Sequence, residues 1–522
     1  MRSRRHSLSP ARTAVVIGAG HNGLVCAAYL ALAGILTTLV EARDSVGGCA
    51  STVDAIGGRV NICNCDHLWV RGTPIAEELD LASHGLRYLD LDPGYVSLGW
   101  NHERPWVLYH DVERTLDGLA VDRPHQVDQY RRYAKATRPL ARLIREITNG
   151  APTFGQAARH TIRQRGRGLA ALARLSRKSA VDAFGIYFDD EEMARPGLTS
   201  GPAVWGVDPT TPGTGLAALG YAAKHEIQLG RPVGGSGAFT DALHKAFTAA
   251  GGQTLTSTRV DQVVLEGGRA SGVRCEGGDR ISADIIVSAC DPRRLWVEWL
   301  TNPPASATDT VARWKSEPQH EGYESKIDAA IVAPPSYPDL VAAIERDPAV
   351  ADATVLISPT IQEMSEAHQA LARRETAGRP MFITNTPSTL DPSMRTSAGH
   401  HVLSLEALWT PFDPDPSASV AAAESWLEAW GTLTDGAVGD IVDRRLMGPA
   451  DYDREFSMAR GHAPSFTGTP LSALRGSPPE LTRYRTVIDG LYMSGAVTYP
   501  GAGIWGAPGR NAAHTIVKDA GL

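Results

Sequence analysis

The 522-residue sequence predicts an α/β fold with a parallel sheet, and three observations support this prediction. A glycine-rich turn joins a β-branched run to an apolar helix near the amino terminus. A second apolar run then ends in one acidic residue, Glu41. Further short apolar runs bounded by glycines recur near residues 260–290 and 490–496. Short apolar strands with helices between them are typical of α/β folds.

Composition excludes several classes of protein. Hydrophobic residues make up 43% and charged residues 21% of the chain, and at ~150 residues per domain the length predicts about three domain-sized units. A net charge of −7 and 7% aromatic residues provide no basic field and no stacking platform, so we expect no nucleic-acid partner. Residues 1–12 have no apolar segment of their own and are predicted to be a disordered leader.

Cysteine spacing gives no sign of a metal site or a redox centre. No two cysteines have the C-x-x-C spacing of zinc sites or thioredoxin-like centres, which predicts a reduced, cytoplasmic protein without a bound metal. The six cysteines are Cys26, Cys49, Cys63, Cys65, Cys275 and Cys290.

The amino-terminal motif has the order strand, glycine turn, helix, strand, acid. Gly18 permits the tight turn, Gly20 lets the backbone approach a pyrophosphate, and Gly23 lets helix and strand pack closely. The amides at the start of the helix face the anion. Glu41, 23 residues after Gly18, would accept hydrogen bonds from an adenosine ribose and would repel a 2′-phosphate. The motif therefore predicts a Rossmann-like dinucleotide site that disfavours NADP.

Residues 41–48, E-A-R-D-S-V-G-G, resemble the E-A-R-D-x-x-G-G element of the amine oxidase and phytoene desaturase flavoproteins. This resemblance implies FAD, with bare amides at Gly47 and Gly48 and a cation at Arg43 beside its diphosphate. The residues that it assigns to FAD in this part of the chain are Gly18, Ala19, Gly20, His21, Asn22, Gly23, Glu41, Ala42, Arg43, Gly47, Gly48, Cys49 and Ala50.

A second G-x-G-x-x-G spans residues 501–506, but only 16 residues follow it, too few for another dinucleotide unit. The segment resembles the carboxyl-terminal signature of phytoene desaturases, G-x-x-x-H-P-G-G-G-x-x-G, with Tyr499 in place of the histidine and Ala502 in place of a glycine. The resemblance implies that a helix amino terminus meets the flavin ring there. It assigns Gly495, Gly503 and Ile504 to FAD.

Residues 234–292 resemble the second flavin segment of the same family: a glycine-rich helix start, a meander and a strand ending in Cys290-Asp291-Pro292. The resemblance places the backbone of Val260 beside the adenine. It implies a discontinuous Rossmann-like FAD-binding domain of residues 13–75, 230–300 and 455–522. Residues 76–229 and 301–454 are then an inserted α+β substrate domain.

The overall layout resembles phytoene desaturase-like and carotenoid ketolase-like oxidoreductases, a group that includes the pyridine nucleotide-disulphide oxidoreductase domain 2 proteins. We therefore expect an FAD-dependent oxidoreductase that removes a hydride from a hydrophobic small molecule. Oxygen, a quinone or a carrier protein would reoxidise the flavin. One alternative is a flavin amine or amino-acid oxidase. The other is a non-catalytic lipid-binding chaperone resembling Rab GDP-dissociation inhibitors.

Two residues are catalytic candidates, each with a simpler alternative. His67 lies where the family's chain passes near the flavin and would be a general base or a substrate anchor; alternatively it is a satisfied core histidine. Tyr499 would orient substrate through its hydroxyl, with Trp505 lining an apolar pocket, or both pack only.

Residues 151–181 carry six arginines and a lysine but no acid, interleaved with leucines at helical spacing. This pattern predicts peripheral contact with an anionic membrane, or else a solvated helix face. Gly166 and Gly168 weaken the helix. A homo-oligomer is compatible with the sequence.

Overall fold

The computed structural model describes residues 12–63, 65–462 and 465–522. The predicted disordered leader therefore lies almost wholly outside the described residues. In chain order the strands are β1 (Thr13–Ile17), β2 (Leu36–Val40), β3 (Thr52–Ala55), β4 (Gly58–Asn61), β5 (Tyr88–Asp90), β6 (Tyr95–Gly99), β7 (Trp106–Leu108), β8 (Gly230–Pro232), β9 (Gln253–Leu255), β10 (Val260–Glu266), β11 (Arg269–Cys275), β12 (Arg280–Ser282), β13 (Ile285–Ser288), β14 (Gly322–Ile331), β15 (Thr354–Ser358), β16 (Phe382–Asn385), β17 (His401–Pro411), β18 (Ile441–Met447) and β19 (Leu491–Met493).

The helices lie between these strands, with a long run of them between β7 and β8. They are α1 (His21–Leu32), α2 (Ile75–Glu78), α3 (Val112–Asp122), α4 (Val127–Thr148), α5 (Phe154–Arg163), α6 (Leu169–Leu175), α7 (Ala180–Phe184), α8 (Arg195–Thr199), α9 (Gly220–Lys224), α10 (Gly237–Ala249), α11 (Thr308–Ser316), α12 (Val341–Arg346), α13 (Ile361–Ala372), α14 (Pro387–Leu390), α15 (Pro416–Gly431), α16 (Pro449–Phe456), α17 (Pro470–Arg475), α18 (Pro479–Thr482) and α19 (Ala507–Ala520).

A parallel five-stranded sheet in the order β19-β13-β1-β2-β9 forms the first layer. Central strand β1 is buried on both faces, which explains its continuous apolar run. Ala14 and Val16 pack with helices α1, α10 and α19 on one side. Val15 and Ile17 pack with the antiparallel β10-β11-β12 meander on the other. The sequence prediction of an α/β fold is confirmed.

A second, mixed sheet has the order β18-β14-β17-β16-β15-β6-β7. Its strands pair antiparallel except at β15-β6, which is parallel. One face is apolar and packs on helix α15, where Ile327 and Leu405 contact a core that contains Trp426 and Trp430. The opposite face of β14 carries charged side chains that are nevertheless buried.

A helical layer covers this sheet from residue 112 to residue 224. Its core is aromatic and contains Tyr130, Tyr133, Phe184 and Tyr221. Tyr133 donates from its hydroxyl to the Ala218 carbonyl oxygen at 2.6 Å, so the ring is buried with its polar group satisfied.

The basic segment 151–181 forms two short helices, α5 and α6, rather than one. The break falls at Arg165, Gly166 and Gly168, which all have positive φ. The two glycines therefore interrupt the helical pattern, because they adopt left-handed backbone that an α-helix excludes. Among the described helices, none is both long enough and apolar enough to cross a bilayer.

The two sheets draw on different parts of the sequence. The parallel sheet takes its strands from residues 13–40, 253–288 and 491–493, and the mixed sheet takes its strands from residues 95–108 and 322–447. The exact domain boundaries given above stay predictions.

Candidate active site

The first glycine turn lies at the carboxyl end of β1, between β1 and α1. Gly18 has φ of 95°, and a Cβ on Gly23 would come within 1.9 Å of the Gly18 carbonyl oxygen. Only glycine allows this turn and this close packing. A Cβ on Gly20, in contrast, would meet nothing within 4 Å. The open edge at Gly20 is where a ligand can approach the backbone.

The Gly47-Gly48 segment packs against this turn. The Gly47 N–H donates to the Ala19 carbonyl oxygen at 2.8 Å, and Gly47 forms a parallel bridge with Gly20. A Cβ on Gly48 would lie 3.1 Å from the Gly20 Cα. The two glycine pairs, which lie some 27 residues apart in the sequence, therefore form one continuous backbone surface.

Glu41 ends β2 next to this surface. One carboxylate oxygen accepts the Ala19 N–H at 2.7 Å, and the other accepts the Arg43 N–H at 2.9 Å. Each carboxylate oxygen has a further lone pair, so both can still accept a ribose hydroxyl. The Glu41 carbonyl oxygen accepts the Thr258 N–H at 2.8 Å, and buried Val260 follows two residues later. Val260 thus lies close to Glu41.

The half-buried Arg43 has one guanidinium nitrogen that no described residue satisfies. Its guanidinium lies 4.3 Å over the ring of Phe456. Its Nη1 is buried and has no hydrogen-bond partner in the described part of the chain. The same is true of the Asn22 Oδ1 at the start of α1. A cationic donor without a partner beside the glycine turns fits the diphosphate of a dinucleotide, whereas the Asn22 oxygen is an acceptor and needs a donor such as a hydroxyl.

The carboxyl-terminal turn meets the amino-terminal one. The His21 Nε2–H donates to the Gly503 carbonyl oxygen at 3.0 Å, and burial lowers the pKa of His21 to about 4, so the ring is neutral. A Cβ on Gly509 would lie 2.2 Å from the Asn22 carbonyl oxygen. The first turns of α1 and α19 therefore pack directly together, and both present amides to the same region.

Three tryptophans surround the carboxyl-terminal turn. Trp69 and Trp505 are stacked with ring centroids 4.9 Å apart. A Cβ on Gly503 would lie 3.4 Å from Trp69 and 3.7 Å from Trp205. The Ile504 carbonyl oxygen accepts the Val70 N–H at 3.2 Å, which joins the turn to the segment that follows His67. The sequence predicts that Trp505 lines an apolar pocket. It predicts no such position for Trp69 or Trp205.

A family model supplies the deciding comparison. The model of flavin containing amine oxidoreductases matches residues 23–319, more than half of the chain. The chain belongs to this flavin containing amine oxidoreductase family. FAD is its cofactor, and the protein is an FAD-dependent oxidoreductase.

Similar proteins confirm the resemblance that the motifs predicted. Pyridine nucleotide-disulfide oxidoreductase domain-containing protein 2 from Rattus norvegicus is 27% identical, over 98% of this chain and 94% of its own. Phytoene desaturase (lycopene-forming) from Paracoccus sp. is 25% identical over 98% of both chains. The solved structure of cyclohexylamine oxidase from Brevibacterium oxydans has the same fold, with a TM-score of 0.58, 17% identity and coverage of 98% of this chain and 100% of that chain.

The chaperone alternative is not favoured for this flavin oxidoreductase. The residues described above retain the glycine surface, the acid and the half-buried arginine that fit FAD. The remaining predicted FAD residues lie around the same strand ends: Ala42, Cys49, Ala50 and Gly495. Individual contacts of these residues with FAD stay predictions.

His67 is fully buried. Its Nδ1 lies 2.8 Å from the Tyr88 hydroxyl and its Nε2 lies 3.0 Å from the Ser236 hydroxyl. Burial lowers the pKa of His67 to about 3, so the imidazole is neutral. With both nitrogens engaged, this placement favours the alternative of a satisfied core histidine. A catalytic role for His67 stays a prediction.

Tyr499, like His67, has hydrogen-bond and packing partners within the fold. Its N–H donates to the Leu481 carbonyl oxygen at 2.7 Å, and its carbonyl oxygen accepts the Tyr484 hydroxyl at 2.8 Å. Its ring packs edge-to-face on Phe466 at 5.7 Å, and burial raises its pKa. The tyrosine fixes the chain just before the glycine turn, and its proposed contact with substrate stays a prediction.

A group of buried ionisable residues on and beside the mixed sheet was not predicted from the sequence. Asp66 and Arg231 form an ion pair at 2.6 Å with almost no exposure, and Lys326 pairs with Asp328. Glu324 and Glu406 lie on the same sheet face. The alternation of Glu324, Lys326 and Asp328 along one strand was the available signal, since residues two apart share a sheet face.

Proposed function

We propose that this FAD-dependent oxidoreductase removes a hydride from a small molecule with a largely apolar body. The observation that supports the proposal is the wall formed by Trp69, Trp205 and Trp505 around the carboxyl-terminal glycine turn. Large aromatic surfaces bind apolar groups and exclude water, which hydride transfer requires. When bound, FAD supplies the hydride acceptor.

The chain's own residues bind the cofactor and hold the surrounding segments in position. The glycine surface and the first turn of α1 would bind phosphate oxygens, the first turn of α19 would meet the flavin ring, and Glu41 would bind the ribose. Arg43 would supply a positive charge beside the diphosphate. His67 and Tyr499 hold the neighbouring segments in place through hydrogen bonds and packing. No group among these needs to change its protonation state for hydride removal.

Anaerobic mixing tests this proposal. The FAD-loaded protein is combined with long-chain polyenes, cyclic alkenes and alkylamines, and the loss of flavin absorbance near ~450 nm is followed by stopped flow. Rapid bleaching by an alkene or polyene supports desaturation. Bleaching by amines alone supports the amine oxidase alternative. Dithionite reduces any accessible flavin and is the positive control. If dithionite reduces the flavin and none of the apolar compounds does, the proposal is contradicted.

Substrate delivery from a membrane surface is a further part of the proposal. Helix α5 has no buried residue, and Phe154 and Ile162 are 58% and 76% exposed. Arg159 and Arg163 lie on the same helix, and the surrounding segment has no acid. Apolar side chains flanked by arginines fit an anionic lipid surface, from which an apolar substrate can enter.

A further inference from the structure

Two cysteines on either side of the β3-β4 hairpin lie together beside the glycine surface. Cys49 directly follows Gly48, and Cys63 follows the end of β4. The hairpin pairing continues between them, because the Ile62 N–H donates to the Ser51 carbonyl oxygen at 3.0 Å. The folded hairpin therefore brings two thiols together that have no recognisable spacing in the sequence.

The two thiols share one apolar environment. Cys49 and Cys63 both pack against a small buried cluster that contains Tyr452 and Met458. The Cys49 thiol donates to the Met458 sulfur at 3.0 Å. Both cysteines are free and only partly buried, so a small oxidant can reach them.

The Cys63 thiol lies between Cys49 and a carboxyl group. Its hydrogen bond with Cys49, together with burial, raises the pKa of Cys63 well above its usual range. The Cys63 thiol also donates to the Glu324 carboxylate at 3.8 Å. Burial raises the pKa of Glu324 to about 7, so this carboxyl is partly ionised at neutral pH and can accept a proton.

Cys65, the nearest other cysteine in the sequence, has different neighbours. Its thiol is buried and lies 3.8 Å from the Asn385 side-chain oxygen and 3.7 Å from the Asp66 carboxylate. Residues two apart in an extended chain share a face only when the chain stays regular. Cys65 is therefore a matched cysteine that lies outside the pair.

We propose that Cys49 and Cys63 are an oxidative modification site, at which hydrogen peroxide converts the two thiols to a disulfide. Cys49 reacts with the peroxide, and Cys63 resolves the product. Thiols in hydrogen-bond contact need only a short approach to form an S–S bond. The disulfide joins the segment that follows Gly48 to the end of β4 and so restrains the glycine surface. The inference goes beyond the proposed function and does not depend on the substrate.

The reaction proceeds in two balanced steps. In the first, the Cys49 sulfur attacks peroxide, an S–O bond forms, the O–O bond breaks and water leaves, which gives a sulfenic acid. In the second, the Cys63 sulfur attacks the Cys49 sulfur, the S–S bond forms and the S–O bond breaks. The Cys63 proton passes to Glu324 and then to the departing hydroxide, which leaves as water. Two thiols are oxidised and one peroxide is reduced to two waters.

The order of the two steps follows from the contacts of Cys63. Its hydrogen bond with the Cys49 thiol is the largest cause of its raised pKa. Oxidation of Cys49 replaces that thiol and removes this cause. Cys63 therefore stays protonated until Cys49 is oxidised and only then gives its proton to the carboxylate.

Thiol mapping of the FAD-loaded protein tests the proposal. The protein is treated with stoichiometric hydrogen peroxide, unfolded in N-ethylmaleimide, digested and analysed by mass spectrometry. We expect two of the six thiols to be lost, with one linked peptide pair that joins Cys49 to Cys63. The remaining cysteines should all carry the maleimide: Cys26, Cys65, Cys275 and Cys290.

Variants separate the two steps. Cys63→Ser should stop at the sulfenic acid of Cys49, which dimedone traps, and Cys49→Ser should leave Cys63 reduced. Glu324→Gln should slow disulfide formation by about 10-fold or more while the dimedone-reactive form accumulates. Cys65→Ser is the matched control and should form the disulfide as wild type does. Retained flavin absorbance shows that each variant is folded.

Three results would overturn the inference: no loss of thiols in excess peroxide, a disulfide between other cysteines, or oxidation of Cys49 to sulfinic acid with Cys63 still free. A Glu324→Gln variant with the wild-type rate would overturn the role of the carboxylate. The wild-type thiol map needs no substitution, so a variant that does not fold leaves the test intact.

Discussion

At the scale of single residues, the glycines of the first motif have distinct tasks. Gly20 has ordinary extended backbone, with φ of −65° and ψ of 166°, and open space beside its Cα. Gly23 is packed against the Gly18 carbonyl. Gly20 is therefore needed for ligand binding, and Gly23 is needed for close packing in the fold.

Alanine substitutions should separate these two tasks. Gly20→Ala should leave the melting temperature of the FAD-free protein unchanged or slightly higher, yet weaken FAD binding by about 10-fold or more. Gly23→Ala should destabilise the protein itself by about 1–3 kcal/mol or more, because its Cβ overlaps the Gly18 oxygen. Thermal unfolding and FAD titration measure both effects. A Gly20→Ala protein with normal FAD affinity would contradict this assignment.

His67 makes stability depend on pH. Its pKa is about 3 in the folded protein and 6.5 in the unfolded chain, so only the unfolded chain takes up the proton between these values. Stability should therefore rise with pH from about 3 to about 6.5 and be independent of His67 above that. We expect the melting temperature of the His67→Asn variant to vary less over this window, and the exposed His125→Asn variant to behave as wild type. If the melting temperatures of wild type and His67→Asn change with pH in the same way, the neutral buried state of His67 is contradicted.

At the scale of elements, the amphipathic helix α5 exposes the apolar side chains of Phe154 and Ile162. None of its residues is buried. Its contacts include the ion pair of His160 with Glu146, at 2.9 Å, on neighbouring α4.

Vesicle flotation should detect the expected membrane contact. The protein should float with vesicles of phosphatidylcholine and phosphatidylglycerol at low salt and not with phosphatidylcholine alone. Replacing Phe154 and Ile162 with Asn should reduce binding by about 10-fold or more, since each buried apolar side chain contributes about 1.5–3 kcal/mol. Val332→Asn, at a valine that is 55% exposed and lies outside the basic segment, is the control. No flotation under any of these conditions would favour the solvated-face alternative.

At the scale of the whole molecule, the FAD site joins both ends of the described chain. His21 bonds the Gly503 carbonyl, and Arg43 lies over Phe456. A ligand that contacts all these segments binds only the folded chain and therefore stabilises it.

FAD should accordingly raise the melting temperature of the FAD-free protein. At a free concentration of 100 Kd the added stability is about 2.7 kcal/mol. NADP⁺ should give no comparable shift, because Glu41 repels its 2′-phosphate. Differential scanning calorimetry measures both. A shift with NADP⁺ equal to that with FAD would contradict the role of Glu41.

The sequence by itself determined the α/β class, the first glycine turn, its acid and a dinucleotide site, and the resemblance of residues 41–48 to flavoproteins implied FAD. The turn, the acid and the dinucleotide site follow from local backbone demands, since a tight turn, a close helix contact and an acid after a strand each need a particular residue at a fixed spacing.

Only the tertiary structure decided what Trp69, Trp205, Glu324 and Glu406 contact. Their partners lie far away in the sequence and reach them through strand register and packing. It also showed that both nitrogens of His67 are engaged. Local spacing cannot report such contacts, because burial and cross-strand neighbours are properties of the folded chain.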